Sequence, residues 1–302
     1  MREKTNCLRD GVIFSGGNIV ALVTPFDREN NVDFNGLKKL IEFHISKKTN
    51  GLLLLGTTGE SPTLTENEMN NIISYSVDIS NSRIPIIVGC GGNNTDNVMR
   101  RAVLYEKMNV DGLLITVPNY NKPNQEGIFR HFYNICNTVQ LPIMMYNIPS
   151  RCGVNMDTET IIRIYNTCHN VCAIKEANGN LDSTINLINN CNIRVFIGDD
   201  ASLLPALSIG CVGVVSVISN ILPEKINEII HNWMIGNYIN CKYKFFTLYN
   251  LIKIMFVETN PVPIKAIMKH LNLIDYSIVR LPLVEMKYSS QTSVIDEYNK
   301  IL

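Results

Sequence analysis

Ile19-Val20-Ala21-Leu22-Val23-Thr24-Pro25-Phe26-Asp27 is the stretch that decides the fold. Five consecutive aliphatic residues suit a strand covered on both faces, as in a parallel sheet flanked by helices. The residues that follow matter as much. A doubly wound sheet usually carries a glycine-rich fingerprint after its first strand, and Thr24-Pro25-Phe26-Asp27 contains no glycine. Further along the chain the same kind of apolar run recurs at 51–55, 85–89, 112–117, 142–146, 171–175, 193–197 and 212–217, each bounded by Gly, Pro, Asn or Asp. Helical patterns lie between the runs. Asp33 precedes Leu37, Leu40, Ile41 and His44 at helical spacing, Thr65-Glu66-Asn67-Glu68 is a capping box, and Asp157 and Asn180 are placed to cap later helices. Eight β/α units in series predict an α/β fold of the closed (β/α)8 TIM-barrel type over residues 18–221. Residues 222–302 continue with amphipathic patterns such as Ile226, Ile229, Ile230 and Trp233, and predict a C-terminal helical extension.

Bulk properties agree with one large buried core. The chain has 302 residues, 46% hydrophobic and 18% charged, which argues against disorder. Lys+Arg and Asp+Glu number 27 each, so no basic excess points to nucleic acid or to an anionic membrane surface. No run of 18 apolar residues suggests a membrane span. Residues Met1 to Gly17 are polar and charged apart from Val12-Ile13-Phe14, too short for a signal-peptide core. The nine cysteines, from Cys7 to Cys241, include no C-x-x-C and several lie in apolar runs; they read as buried thiols of a cytoplasmic protein.

A barrel of this type builds its active site at the C-terminal ends of the strands. There the chain carries Gly56-Thr57-Thr58-Gly59-Glu60-Ser61, Asn119-Tyr120-Asn121-Lys122-Pro123, Tyr146-Asn147-Ile148-Pro149-Ser150-Arg151, Ile174-Lys175-Glu176 and Gly198-Asp199-Asp200. Alternation puts Val171, Ala173 and Lys175 on one strand face, so if the first two face the interior, Lys175 does too. Burial would lower its pKa and free a neutral amine for Schiff-base chemistry. An isolated strand-end lysine more often pairs with a neighbour such as Glu176 or reaches solvent, and the other strand ends shift that balance. Tyr146 offers a proton relay, Thr57 and Thr58 offer donors for a carboxylate, and Arg151 offers a planar fork for a second one. Asp199-Asp200 reads as helix capping, because no third metal ligand stands nearby. The five histidines show no paired metal spacing, Gly89-Cys90-Gly91-Gly92 lacks the Gly-Lys-Ser/Thr of a phosphate loop, and no G-x-S-x-G elbow occurs.

Together and in this order, these stretches resemble the dihydrodipicolinate synthase family, within the pyruvate-dependent class I aldolases and lyases, over about residues 18–283. The resemblance implies that Lys175 condenses with pyruvate and that the Thr57-Thr58 region holds the pyruvate carboxylate, with Gly198 and Val215 lining the pocket. It implies a proton relay of Tyr146, Thr58 and Tyr120, with Tyr120 supplied by the neighbouring subunit. L-aspartate 4-semialdehyde would be the second substrate, gripped near Arg151. It further implies no metal or organic cofactor and a homotetramer built as a dimer of dimers. Sialic acid lyases share Tyr-Asn-x-Pro but lack this arginine, so an aldolase acting on a sugar acid is the alternative; a non-catalytic barrel would need none of these residues together. Asn119 stands where the family commonly has an aromatic residue, and Thr259 where a proline is usual. At the positions matching the family's lysine-inhibition site stand Ser61, Glu66, Met69, Asn93, Asn97 and Asn119. The histidines and the acid of lysine-sensitive members are missing, which predicts weak or absent feedback by lysine.

Overall fold

The computed structural model describes residues 13–301; the N-terminal reading of residues 1–12, including Cys7 and Val12, lies outside them. Eight strands form a closed, wholly parallel barrel in chain order: β1 Gly17–Ala21, β2 Gly51–Leu54, β3 Ile86–Gly89, β4 Gly112–Thr116, β5 Ile143–Asn147, β6 Val171–Glu176, β7 Arg194–Ile197 and β8 Gly213–Ser216. The ring shuts between β8 and β1, where Gly17 pairs with Gly213. A Cβ on Gly213 would sit 2.0 Å from the Gly17 carbonyl oxygen, so only glycine lets the two backbones meet.

Side chains split into two apolar sets. Ile19, Ala21, Leu53, Ile87, Leu114, Met144, Tyr146, Ala173, Phe196 and Val215 fill the barrel interior, with Phe14 against Phe196. Alternate residues such as Val20, Leu52, Leu54, Val88, Leu113 and Ile174 pack outward against the helices. The helix faces follow their sequence patterns. In Phe34–Ser46 the buried set includes Leu37, Leu40, Ile41 and His44, and Asp33 accepts from the Gly36 N–H. Glu66–Ser80 starts with the full Thr65/Glu68 capping box. Asn180 caps Leu181–Asn190 through its side chain, whereas Asp157 sits at the start of Thr158–Thr167 without a side-chain cap bond.

The helix Pro223–Met234 packs against β1, where Asn18 Nδ2 donates to Asn227 Oδ1 at 3.0 Å, and fills the eighth helical place of the ring. Beyond it, Tyr238–Ile254, Val262–His270 and Tyr288–Asn299 form the helical extension. Among the described residues, no helix is long and apolar enough to cross a membrane. Cys90, Cys136, Cys152, Cys211 and Cys241 are buried free thiols.

One expectation about β6 needs correction. The register against β5 runs Ile143 to Val171 and then Met144 to Ala173, so Cys172 is an extra, bulged residue. Val171 packs in the outer core while Cys172 and Ala173 pack inside. Val171 therefore does not share the face of Lys175; Ala173 does, because normal alternation resumes after the bulge.

Candidate active site

Lys175 is the penultimate residue of β6 and faces the interior at the upper rim, opposite Tyr146 of β5 and Phe196 of β7. It is 6% exposed, and its Nζ lies 4.3 Å from the centre of the Tyr146 ring. Burial pushes its pKa down to about 8; the carboxylate of Asp200 opposes that shift and the Arg151 guanidinium adds to it. Roughly a quarter of Lys175 is then neutral near pH 7.5, against about one in a thousand for an ordinary lysine. Glu176, the neighbour with which a strand-end lysine would pair, faces away. Its carboxylate accepts from Asn147 Nδ2 at 3.1 and 3.2 Å and from the Asn178 N–H at 3.0 Å.

Space for Lys175 comes from Gly198, at the end of β7. A Cβ there would lie 2.8 Å from Lys175 Cε and 2.8 Å from Ala177 Cβ. Val215 on β8 lies in the same interior cluster as Tyr146. Burial pushes the Tyr146 phenol up to about 12, so at neutral pH it is a proton donor.

The two threonines divide differently from the expected relay. The Thr57 hydroxyl lies close enough to the Tyr146 phenol to oppose the effect of burial on its pKa. Thr58 is buried, and its Oγ1 accepts from Asn260 Nδ2 at 2.9 Å. The hydroxyl placed beside Tyr146 thus belongs to Thr57, one residue before the one expected. Arg151 sits exposed on the short turn of helix Pro149–Cys152 that follows β5. Tyr120 is not gathered into this group. It is 86% exposed, beyond β4, in a left-handed conformation with φ of 70°, which is uncommon for a bulky side chain.

Two contributors escaped the sequence. Asp199 does accept from the Ala201 N–H, but Asp200 is no cap. Fully buried, it accepts from the Val217 and Ile218 N–H groups at 2.8 and 3.1 Å and so ties the ends of β7 and β8 together. Burial raises its pKa to about 6, and it is the carboxylate whose charge acts on Lys175. Asn260 is the other, through its amide on Thr58. Among the described residues, no group of three or more His, Cys, Asp or Glu is placed to hold a metal ion. A separate cavity of about 970 Å3, bounded by Gly17, Asn50, Val212 and Trp233, opens at the opposite ends of the strands and does not reach Lys175.

Comparisons with known proteins converge. Residues 14–300 match the dihydrodipicolinate synthetase family. The 4-hydroxy-tetrahydrodipicolinate synthase of Sulfurihydrogenibium sp. (strain YO3AOP1) is 42% identical over 287 residues, covering 94% of this chain and 97% of that protein. The crystal structure of dihydrodipicolinate synthase from Aquifex aeolicus superposes with a TM-score of 0.92 at 36% identity, covering 95% and 99% of the two chains. The chloride-inhibited enzyme from Acinetobacter baumannii, crystallised with pyruvate, gives 0.92 at 34% identity with the same coverage.

Proposed function

The chain belongs to the dihydrodipicolinate synthetase family, and from that premise we propose that it condenses pyruvate with L-aspartate 4-semialdehyde to give 4-hydroxy-tetrahydrodipicolinate, on the route to diaminopimelate and lysine. It is a lyase of the class I aldolase type. The observation that carries the reading is the state of Lys175: a buried amine with its pKa lowered to about 8, set against a protonated Tyr146 at the rim of a closed barrel.

Neutral Lys175 Nζ attacks the ketone carbon of pyruvate, and the carbinolamine loses water to give the imine. Loss of a proton from the methyl carbon leaves an enamine. That carbon forms the new C–C bond with the aldehyde of the second substrate. The amine of the added unit then attacks the imine carbon, closes the ring and releases Lys175. One water leaves for each pair of substrates joined. The Tyr146 phenol and the Thr57 hydroxyl lie together where protons must enter and leave. Thr58, with Thr57 beside it, receives the pyruvate carboxylate, and Gly198 and Val215 shape the pocket wall. Arg151, exposed at the mouth, grips the carboxylate of the incoming semialdehyde.

The relay is completed by Tyr120 from a neighbouring subunit of a homotetramer arranged as a dimer of dimers. Its 86% exposure in the single chain fits that use. Residues 18–221 supply the chemistry; residues 222–302 supply the eighth ring helix and support the Thr57-Thr58 turn. The buried thiols fit a cytoplasmic setting.

A substrate panel tests the reading. The purified protein should consume pyruvate with L-aspartate 4-semialdehyde and leave sialic acid uncleaved. Arg151→Ala should cut kcat/KM for the semialdehyde about 10- to 100-fold, the worth of a hydrogen bond to a charged group. Sialic acid cleavage with no turnover of the semialdehyde would transfer the chain to the sugar-acid aldolases.

A further inference from the structure

The C-terminal extension reaches over the barrel and holds the Thr57–Glu60 turn from outside. Lys265, fully buried, donates to Glu60 Oε1 and to the Ile278 carbonyl, the latter at 2.9 Å. The Arg280 N–H donates to Glu60 Oε2 at 2.9 Å, and its guanidinium reaches the Thr63 carbonyl and Glu68. Both cations lie over the Phe26 ring, at 4.1 and 4.5 Å. Within this clamp one side chain of the extension reaches a residue of the site. Asn260, 6% exposed, donates through Nδ2 to Thr58 Oγ1, itself 2% exposed. The other end of the same amide, Oδ1, is buried without a hydrogen-bond partner in the structure. The bond from Nδ2 to Thr58 is what orients the amide.

A hydroxyl has one proton to give and lone pairs to accept with. With a lone pair of Thr58 Oγ1 taken by the Asn260 amide, the hydroxyl proton is left to be donated elsewhere. Without that contact the hydroxyl can rotate and spend its proton on the backbone. We propose that Asn260 is a positioning residue that fixes the Thr58 hydroxyl as a donor toward the carboxylate of the 2-oxo acid substrate. The extension is therefore part of the pyruvate subsite although it supplies no group to the reacting carbon. This rests on the reading that Thr58 receives that carboxylate.

The test is a mutant cycle on the full chain: Asn260→Ala, Asn260→Asp, Thr58→Val and the double Thr58→Val/Asn260→Ala, each with kcat, both KM values and a thermal melt. Asn260→Ala should raise KM for pyruvate about 3- to 10-fold, the worth of one neutral hydrogen bond, with kcat and the semialdehyde KM within about twofold. Asn260→Asp should raise it further, about 10- to 100-fold, because a carboxylate takes the Thr58 proton and repels the substrate. The double variant should be no worse than Thr58→Val alone. If Thr58→Val raises the pyruvate KM while neither Asn260 variant does, Asn260 is not a positioning residue and the carboxylate reading stands. If Thr58→Val leaves that KM unchanged, the carboxylate reading itself fails and the inference falls with it. Additive effects in the double variant overturn the coupling. Should the alanine variant not fold, the near-isosteric aspartate carries the same decision.

Discussion

Gly198→Ala isolates the geometry on which Lys175 depends. The added Cβ would lie 2.8 Å from Lys175 Cε, 2.8 Å from Ala177 Cβ and 3.3 Å from the Glu176 carbonyl oxygen. Non-bonded carbons settle at about 3.5–4.0 Å, so roughly 0.7–1.2 Å must be found. The backbone cannot supply it easily, since the Gly198 N–H donates to the Glu176 carbonyl at 2.8 Å and Lys175 is paired to Phe196 in the sheet. Ala177 Cβ is fixed to its own backbone. The long lysine side chain is the part free to move, and it must move across the Tyr146 ring. Displacing a reacting group by about 1 Å costs roughly a hundredfold in rate. Overpacking by one methyl costs about 1–3 kcal/mol of stability, which leaves a folded protein to assay. The measurements are kcat/KM for pyruvate, the rate of inactivation by borohydride with pyruvate present, and a thermal melt. The account predicts both rates down by about two orders of magnitude with the melt still cooperative. A folded variant with rates within about twofold of the parent would refute the idea that Gly198 makes room for the amine.

Three further outcomes follow from the structure. Imine formation with pyruvate should rise about tenfold per pH unit below pH 8 and level off above it, because Lys175 reacts as the free amine and burial has lowered its pKa to about 8; a rise continuing past pH 10 in stopped-flow traces would show an unperturbed lysine. Lys265→Met should cost about 3–5 kcal/mol in denaturant unfolding by leaving Glu60 buried without its ion-pair partner, and a loss below about 1 kcal/mol would mean the clamp does not hold the extension. L-lysine should inhibit weakly or not at all, since Met69 is buried against Tyr105 and Asn97 carries no charge for an ammonium; half-inhibition below about 1 mM would contradict this, a millimolar site being worth about 4 kcal/mol.

Much of the barrel was legible because strands covered on both faces must be continuously apolar. All eight runs became strands, with ends displaced by a residue or two where apolar residues such as Leu22 and Val23 stay buried after β1 has ended. The bulge at Cys172 was not legible, because an extra residue in a uniformly apolar run changes no pattern. Lys175, Tyr146 and Gly198 could be placed from the strand ends. Thr57 and Thr58 could not be told apart, since two identical neighbours differ only in which way the turn points them. Asp200 was masked by Asp199, which does the capping the pair suggests. Asn260 had no local signal at all: it meets Thr58 from 202 residues away, a contact created by the fold of the extension.

The central claim is that Lys175 alone carries the substrate. Desolvation does not single it out, for Lys265 is buried too and its pKa is likewise lowered to about 8. Lys265 is held by Glu60 and the Ile278 carbonyl, whereas Lys175 faces Tyr146 in the barrel mouth. Reduction with borohydride in the presence of pyruvate, followed by peptide mass mapping, decides between them. The account predicts one adduct, on the peptide containing Lys175, and none in Lys175→Ala. An adduct on Lys265 or any other lysine, or no adduct at all in active protein, would contradict it.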